Sequence, residues 1–369
     1  MKIMMIPSVS GGLGHVGRTS ALARALTRID PALTIEYLLD MERIRPFNIE
    51  VVAATGHRVN LLPIRSRNER DAVVRATLGD ADIIVDDTSR HLIPLRALLP
   101  GVRWISVPMY PLWDELFMDW PLLAQTDGIV WAYPQGLDFP SELNLIRRPV
   151  VKTGPFLDVE DVPSRAEARA QLGYTDADCV ILYAPRGMTF GRAFGEQVLA
   201  SVVGAVGDIQ VPVGKRVRLE LVSVRDPDEI RCPEVPDPLP GCVHVVGPLP
   251  PHTMLTYIRA ADVAVTEGSN MTFEAAALRT PILMVPGTIH ETWVLGTHLR
   301  RSNAAVVLWI ETVTVETVKD ALHDILDNDG TRAARVERAE QMLMQGGGAE
   351  AAARFVLQMG THGAAASAE

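Results

Sequence analysis

The sequence contains very few cysteines. Three occur among its 369 residues, at Cys179, Cys232 and Cys242. They lack the close paired spacing of zinc ligands, and three residues do not form the framework of a disulfide-rich fold. The sequence therefore indicates neither a zinc site nor a disulfide scaffold, and we expect a protein of the reducing cytoplasm.

The sequence also lacks long apolar runs and dense clusters of Lys and Arg. No segment approaches the roughly 18 apolar residues of a membrane span, and the apolar run at the N-terminus breaks at Pro7 and Gly11, too early for the core of a signal peptide. The formal net charge is −10, and no basic stripe with interleaved aromatic residues suits a nucleic acid. We therefore expect no transmembrane segment, no nucleic-acid partner and a small-molecule ligand.

The length and the order of the apolar segments predict two domains. With 47% hydrophobic residues, the chain has enough apolar material for two cores of about 150–200 residues each. In both halves short apolar strands alternate with helical patterns, which is typical of an α/β fold with a doubly wound parallel sheet. We predict an N-terminal domain over residues 1–150, a proline-containing linker over 151–165, a C-terminal domain over 166–345, and a C-terminal helix with a disordered tail over 346–369, the helix being free to pack back on the first domain.

A glycine-rich loop follows the first predicted strand. Gly12, Gly14 and Gly17 have the G-x-G-x-x-G spacing of a dinucleotide-binding turn, and Asp40 closes the second predicted strand, where such folds place an acidic residue. An NAD-dependent oxidoreductase is therefore one hypothesis. The same glycines would also expose His15, and an imidazole at this edge of a sheet can act as a general base. The alternative for His15 is a structural bond to the backbone at the start of a helix.

A base histidine is more effective when a carboxylate orients it. Asp86 and Asp87 end another predicted strand of the same sheet, at the carboxyl edge where ligands bind in doubly wound folds. We predict that Asp86 is the orienting group. The alternative is that one residue of this segment, Asp87 or Ser89, caps the following helix.

A second loop with a helix start lies in the C-terminal half. A predicted strand ends at Gly268, and the following residues through Thr272 precede a helix predicted from about Phe273. Hydroxyl groups and free N–H groups at a helix N-terminus can cradle a diphosphate, and Glu274 in the first turn could accept hydrogen bonds from ribose hydroxyls. The alternative is a capping box, with Asn270 or Thr272 as the cap and Glu274 as its companion.

This segment resembles the donor-binding signature of the GT-B glycosyltransferases, which include macrolide and plant-metabolite glucosyltransferases and the peptidoglycan N-acetylglucosaminyltransferase. The matching positions are Gly268, Asn270, Thr272, Glu274 and Ala275, followed by "RTPILMVPG". The opening loop resembles the "GxGH" segment of that family, and "GLGHVGR" resembles the loop of a related sugar-nucleotide hydrolase. The resemblance implies a GT-B fold, in which two Rossmann-like domains face each other across a cleft, with the acceptor in the first and the nucleotide sugar in the second.

The resemblance also assigns roles to individual residues. It implies a donor-binding set of Gly14, Arg186, Gly187, Leu249, Gly268, Ser269, Asn270, Met271, Thr272, Glu274, His290 and Glu291. In that set Glu274 binds ribose, His290 and Glu291 contact the sugar, and the loop before Glu274 binds phosphates. His15 takes the place of the catalytic base and Asp86 that of its partner. Thr266-Glu267 departs from the histidine that many relatives have before the glycines, which leaves the geometry of the phosphate site open.

The implied reaction is an inverting, metal-independent transfer of a hexose from a UDP- or TDP-linked donor to a hydroxyl of a small-molecule acceptor, in natural-product or cell-envelope metabolism. No cofactor besides the donor is expected. Asp-x-Asp triplets begin at Asp80, Asp176 and Asp226, but none lies at a predicted carboxyl end of a strand, so we interpret them as solvated turns.

An aromatic segment of the first half gives candidates for acceptor binding. Tyr110 and Trp113 are the two predicted contacts, although the helical spacing of Trp113, Phe117 and Trp120 is also typical of an ordinary core. A sugar-nucleotide hydrolase or epimerase, a noncatalytic partner of another glycosyltransferase and the NAD-dependent oxidoreductase are the alternative functions. The sequence leaves a homodimer open.

Overall fold

The structure is a computed structural model. It describes residues 1–8, 13–41, 46–62, 67–109, 120–134, 137, 146–185, 192–211, 213–222, 238–247, 249–268 and 270–366. The chain divides into two compact units. The first consists of Met1–Asp158 with Met344–Glu369, and the second is Val159–Leu343.

Strands and helices alternate along the first unit. In chain order they are β1 (Lys2–Pro7), α1 (Gly14–Ile29), β2 (Thr34–Asp40), α2 (Pro46–Ala53), β3 (Arg58–Leu62), α3 (Arg67–Leu78), β4 (Ile83–Asp87), a 3-10 helix (Arg90–Leu98), β5 (Arg103–Val107), α4 (Trp120–Leu123), β6 (Gly128–Trp131) and β7 (Val150–Lys152). The strands form one parallel sheet in the order β3-β2-β1-β4-β5-β6-β7. The order changes direction between β1 and β4, and in doubly wound sheets ligands bind at the carboxyl ends of the strands at this point.

The second unit repeats this plan. Its elements are α5 (Arg165–Gln171), β8 (Asp178–Tyr183), α6 (Arg192–Asp208), β9 (Arg216–Val222), β10 (Val243–Val246), α7 (Pro251–Ala260), β11 (Val263–Thr266), α8 (Asn270–Ala277), β12 (Ile282–Met284), α9 (His290–Arg301), β13 (Val306–Val307), a 3-10 helix (Ile310–Thr312), α10 (Val315–Leu326) and α11 (Asp329–Leu343). The parallel sheet has the order β10-β9-β8-β11-β12-β13, so its direction changes between β8 and β11. The prediction of two doubly wound α/β sheets is confirmed.

The sheets form because their strands are short and apolar on both faces. β1, with the sequence KIMMIP, is buried from its second residue onward, as expected for a parallel strand covered by helices on both sides. One departure from the prediction concerns residues 150–152, which were placed at the border of the linker. They form β7, which pairs with β6 through the apolar Val150 and Val151. The boundary between the two units falls after Asp158, inside the segment predicted as the linker.

The last helix, α12 (Gly348–Ala366), belongs to the first unit. Its buried residues Ala352 and Val356 share one core cluster with Leu22 of α1. The helix also lies close to β6, where a glycine makes room for it: a Cβ at Gly128 would lie 3.0 Å from the Phe355 ring. The segment expected to be a disordered tail is helical as far as Ala366. Within the described part of the chain, none of the helices is both long and apolar enough to cross a lipid bilayer.

Candidate active site

The first candidate residues lie at the carboxyl edge of the first sheet, where its strand order changes direction. Pro7 at the end of β1 is opposite Asp87 at the end of β4, and the N–H of Ser8 donates to the backbone oxygen of Asp87 at 2.8 Å. α1 then begins at Gly14. The fold therefore places His15, the second residue of α1, beside the end of β4, although the two segments are distant in the sequence.

His15 faces Asp87. Its Nδ1 lies 3.1 Å from Asp87 Oδ1, and the hydroxyl of Thr88 donates to the same oxygen at 3.0 Å. Asp87 is fully buried, whereas the His15 side chain keeps 24% of its surface exposed. A buried carboxylate that holds a partly exposed imidazole is an arrangement suited to general base catalysis.

Arg18 is the third member of this cluster, and the sequence analysis missed it. Its Nε donates to Asp87 Oδ2 at 2.9 Å, its Nη2 also donates to Asp87 Oδ1, and its side chain is only 6% exposed. The signal was present in the sequence, because residues three apart in a helix lie on the same face. His15 and Arg18 have this spacing.

The prediction that Asp86 orients His15 is corrected by the structure. Asp86 is fully buried and accepts hydrogen bonds from the backbone N–H of Ser89 at 2.7 Å, from Ser106 Oγ at 2.9 Å and from Trp104 Nε1 at 3.3 Å. Because side chains of a strand alternate between its two faces, Asp86 and Asp87 point in opposite directions. Asp87 faces α1, and Asp86 holds the start of the 3-10 helix and strand β5.

The two neighbouring carboxyl groups differ in pKa. Burial raises the pKa of Asp86 to about 6, against three hydrogen-bond donors that lower it. Burial also acts to raise the pKa of Asp87, but the positive charge of Arg18 and the contact with His15 outweigh it and hold that pKa well below its usual range. Asp87 is therefore ionised at any ordinary pH and can accept a hydrogen bond from the imidazole.

Asp40 is the residue that a dinucleotide fold would use to bind ribose, and here its carboxylate is bound by Arg70. It is buried at the end of β2. Its Oδ2 lies 3.1 Å from Arg70 Nη2, and its Oδ1 lies 3.4 Å from Arg70 Nη1. Because Arg70 faces both carboxylate oxygens, this geometry disfavours the NAD hypothesis.

The turn after β11 in the second unit requires glycine. Gly268 has a φ of +82°, and a Cβ built there would lie 2.5 Å from Met284 Cε and 2.8 Å from Thr292 Cβ. Both the positive φ and the lack of space exclude an ordinary side chain. The same contact brings Thr292 of α9 against the turn, so the predicted phosphate-binding residues and the predicted sugar-contacting residues lie close together.

Glu267, the departure from the family pattern, is bound within the second unit. The hydroxyl of Tyr183, at the end of β8, donates to Glu267 Oε1 at 2.7 Å, and both residues are buried. β8 and β11 are the two strands between which this sheet changes direction. The carboxylate is thus joined to the neighbouring strand.

The helix after this turn begins earlier than predicted. α8 starts at Asn270 rather than near Phe273, so Asn270, Met271 and Thr272 form its first turn. Thr272 is fully buried, and its hydroxyl is 2.8 Å from the hydroxyl of Thr266. The expectation of an outward-facing Thr272 hydroxyl is therefore corrected. The backbone N–H groups at the start of a helix point along its axis, and they are what such a helix offers to an anion.

Glu274 is partly buried on α8. It is the fifth residue of the helix, not part of its first turn as predicted. Among the residues that the structure describes, none forms a hydrogen bond or an ion pair with its carboxyl group, and burial raises its pKa to about 7. The alternative prediction, a capping box that joins Glu274 to Asn270 or Thr272, is therefore not found among the described residues. A partly buried carboxyl group that no described residue binds is suited to a ligand that donates hydrogen bonds.

The remaining predicted residues fall into two groups. His290 and Glu291 are the first two residues of α9, and Glu291 is buried; Leu249 precedes α7, and Gly14 begins α1. The others lie outside the described residues: Tyr110, Trp113, Arg186, Gly187 and Ser269.

The Asp-x-Asp triplets lie at the amino ends of strands where the structure describes them. Asp80 pairs with Lys2 Nζ at 2.9 Å, and Asp82 accepts the backbone N–H of Lys2 at 2.6 Å just before β4. Asp178 begins β8 and pairs with Arg216. The triplet at Asp226 lies outside the described residues.

Comparison with known proteins gives similarity in structure alone. No protein-family model matches the chain, and no curated protein matches its sequence. Among solved structures, the chain is similar to the spinosyn forosaminyltransferase SpnP, with a TM-score of 0.67 and 14% identity over 98% of this chain and 99% of that one. It is also similar to the glycosyltransferase VinC in complex with dTDP, with a TM-score of 0.64 and 14% identity over 98% and 100% of the two chains.

A third similar structure has a different described activity. It is a putative UDP-N-acetylglucosamine 2-epimerase from Listeria monocytogenes, with a TM-score of 0.68 and 16% identity over 98% of this chain and 96% of that one. At such low identity these similarities show the fold. The chain has the GT-B fold, and the resemblance predicted from the two loops is confirmed at that level.

Proposed function

We propose that the protein is an inverting glycosyltransferase that moves a hexose from a UDP- or TDP-linked donor to a hydroxyl group of a small-molecule acceptor. The observation that carries the proposal is the 3.1 Å contact between His15 and the buried Asp87 at the carboxyl edge of the first sheet. The similar structures include two transferases, one of which was solved with dTDP. The low cysteine content supports a reducing cytoplasm, and the proposed reaction needs no metal ion and no further cofactor.

In the proposed reaction His15 is the general base. With Nδ1 directed at Asp87, Nε2 is the ring nitrogen left to receive a proton. The acceptor hydroxyl gives its proton to Nε2 while its oxygen forms a bond to the anomeric carbon, and the bond from that carbon to the diphosphate breaks. A single displacement of this kind inverts the anomeric centre. A positioned base of this type contributes about 10²–10⁴-fold to the rate.

The second unit would hold the donor. The positive end of the α8 dipole and the backbone N–H groups that point from its N-terminus can stabilise the charge that develops on the departing diphosphate. Glu274 has no partner among the described residues and would accept hydrogen bonds from the ribose. His290 and Glu291 would contact the sugar, because α9 begins beside the Gly268 turn.

A second candidate function is the hydrolysis or epimerisation of a nucleotide sugar. The similarity to the putative epimerase favours it, and so does the resemblance of the "GLGHVGR" loop to that of a sugar-nucleotide hydrolase. The same base would then act on water or on the donor itself. Incubation with nucleotide sugars and no acceptor separates the functions, since a hydrolase or epimerase forms free sugar or a new epimer whereas a transferase leaves the donor largely intact.

A thermal-shift panel with UDP, dTDP, GDP and NADH tests the ligand class. We expect UDP or dTDP to raise the melting temperature, because a ligand at about 100 times its Kd stabilises the folded state by about 2.7 kcal/mol. A response to NADH alone would contradict the proposal and restore the oxidoreductase hypothesis.

The raised pKa of Glu274 predicts a pH dependence of donor binding. Below about pH 7 the carboxyl group is protonated, and ribose hydroxyls that donate to it favour the ionised form. Affinity for UDP should therefore rise as the pH increases through about 7 and then level off, as measured by calorimetric titration.

Two controls isolate this effect from the titration of the terminal phosphate of UDP. Glu274→Gln should lose the pH dependence that is due to the carboxyl group and weaken UDP binding about 10- to 100-fold, as expected for hydrogen bonds to a charged group. The 2′,3′-dideoxy analogue of UDP should bind the natural protein with the residual pH dependence of this variant. An unchanged pH profile in Glu274→Gln would remove Glu274 from the ribose site.

A further inference from the structure

Arg18 lies in contact with both members of the His15–Asp87 pair. We propose that Arg18 is a positioning residue that clamps Asp87 against His15 and holds the neutral form of the imidazole in one tautomer, with its proton on Nδ1 and its free electron pair on Nε2. This inference deepens the proposed function of the same site and rests on it for its kinetic test.

The evidence for this clamp is that Arg18 and His15 both contact the carboxylate of Asp87. Arg18 donates through Nε to Asp87 Oδ2 at 2.9 Å and through Nη2 to Asp87 Oδ1. His15 Nδ1 reaches Oδ1 at 3.1 Å. A two-point contact with a guanidinium fixes the plane of a carboxylate. The rotation of Asp87 is therefore set by Arg18, and with it the position of the oxygen that His15 faces.

The distance between Arg18 and His15 is accounted for by this assignment of the proton. Arg18 Nη2 lies 3.3 Å from His15 Nδ1, but both atoms also lie within hydrogen-bond distance of Asp87 Oδ1. Two donors that share one acceptor have such a spacing. If Nη2 instead donated to Nδ1, the ring proton would be on Nε2, and the exposed nitrogen would be unable to accept a proton from an alcohol.

Arg18 also limits the gain of a second proton by the ring. Among the residues that the structure describes, the charged groups in contact with the imidazole are Arg18 on its own helix and Asp87 at the end of β4, while Asp86 points the other way. Arg18 neutralises Asp87, so the carboxylate attracts an imidazolium less than an isolated carboxylate would. Removing the charge of Arg18 should therefore strengthen the attraction between Asp87 and a protonated ring.

The first test uses the natural protein and requires no activity. Long-range proton–nitrogen NMR distinguishes the two neutral tautomers of histidine, and comparison with His15→Gln identifies the His15 signals among the nine histidines. We expect the neutral ring to carry its proton on Nδ1, the nitrogen that faces Asp87. A proton on Nε2 would overturn the proposal, whether or not the protein proves to be a transferase.

The second test removes the charge of Arg18. In Arg18→Met the acid limb of the pH–rate profile should move to higher pH by about one unit, so that activity at pH 6 relative to pH 8 falls about tenfold further than in the natural protein. The matched control is Arg24→Met, which removes an arginine of the same helix that pairs with Asp158 at 2.6 Å. The control should keep the natural profile.

Further variants separate this result from structural damage. Arg18→Lys retains the charge but not the two-point contact, so it should keep the acid limb near its natural position while lowering the maximal rate. NMR spectra of Arg18→Met recorded between pH 5 and 8 follow the ring itself, which distinguishes it from Asp86, whose pKa of about 6 falls in the same range. A ring in Arg18→Met that gains its proton at the same pH as in the natural protein would overturn the proposal. Absence of turnover with every nucleotide sugar would instead refute the proposed function and leave the NMR result standing.

Discussion

Replacement of His15 by alanine is expected to abolish sugar transfer while leaving the affinity for the nucleotide diphosphate nearly unchanged. The imidazole would accept the proton of the acceptor, whereas the diphosphate would bind to the second unit. Loss of a positioned base lowers the rate by about 10²–10⁴-fold. Steady-state kinetics with a nucleotide sugar and calorimetric titration with the nucleotide diphosphate measure the two quantities separately.

A second His–Asp pair of the same chain provides the matched control for this variant. His323 of α10 has its Nδ1 3.2 Å from Oδ2 of Asp327, the residue that caps the end of this helix. The distance is similar to that between His15 and Asp87, but this second pair lies on the surface. His323→Ala should retain full activity. If His15→Ala lost transfer and nucleotide binding to the same extent, His15 would have a structural role instead of a catalytic one.

Replacement of Gly268 by alanine is expected to destabilise the second unit by about 2–5 kcal/mol. The positive φ of this residue costs an alanine about 1–2 kcal/mol, and overpacking adds about 1–3 kcal/mol. The added Cβ would meet Met284 Cε at 2.5 Å and Thr292 Cβ at 2.8 Å. The end of the Met284 side chain can move away, but Thr292 Cβ is attached directly to the backbone of α9 and cannot. Urea unfolding followed by circular dichroism measures the change in stability, and UDP titration shows whether the start of α8 is displaced.

Gly173 separates the two contributions. It also lies in the second unit and has a φ of +70°, but no atom lies within 4 Å of a Cβ built there. Gly173→Ala should therefore show only the backbone cost of about 1–2 kcal/mol. Equal destabilisation by the two substitutions would mean that Met284 and Thr292 move aside, and that Gly268 is required for its φ alone.

Much of the fold could be predicted from the sequence because its signals are local. Strands such as β1 and β4 are short apolar runs that end in turn or polar residues, and this pattern alone indicates a buried parallel sheet. The pairing of β7 was missed because a three-residue strand next to prolines resembles a linker. The early start of α8 was missed for a similar reason, since Asn270 and Thr272 are residues typical of helix caps.

The candidate site was less predictable because its contacts are not local. Two adjacent aspartates end β4, and only the register of the strand decides that Asp87, and not Asp86, faces His15. The hydrogen bond between Tyr183 and Glu267 joins residues 84 positions apart, and nothing in the local sequence of either residue indicates it. Arg18 was within reach, since its helical spacing from His15 was visible, but its role depends on Asp87.

Because α12 follows the second unit in the sequence but belongs to the first, the second unit is the first to be completely synthesised. Ala352 and Val356 belong to the core of the first unit, yet they leave the ribosome after every residue of Val159–Leu343. Domains usually fold in the order in which they are translated. Here the second unit has its whole sequence first, while the outer apolar face of α1 is covered only after α12 has been synthesised.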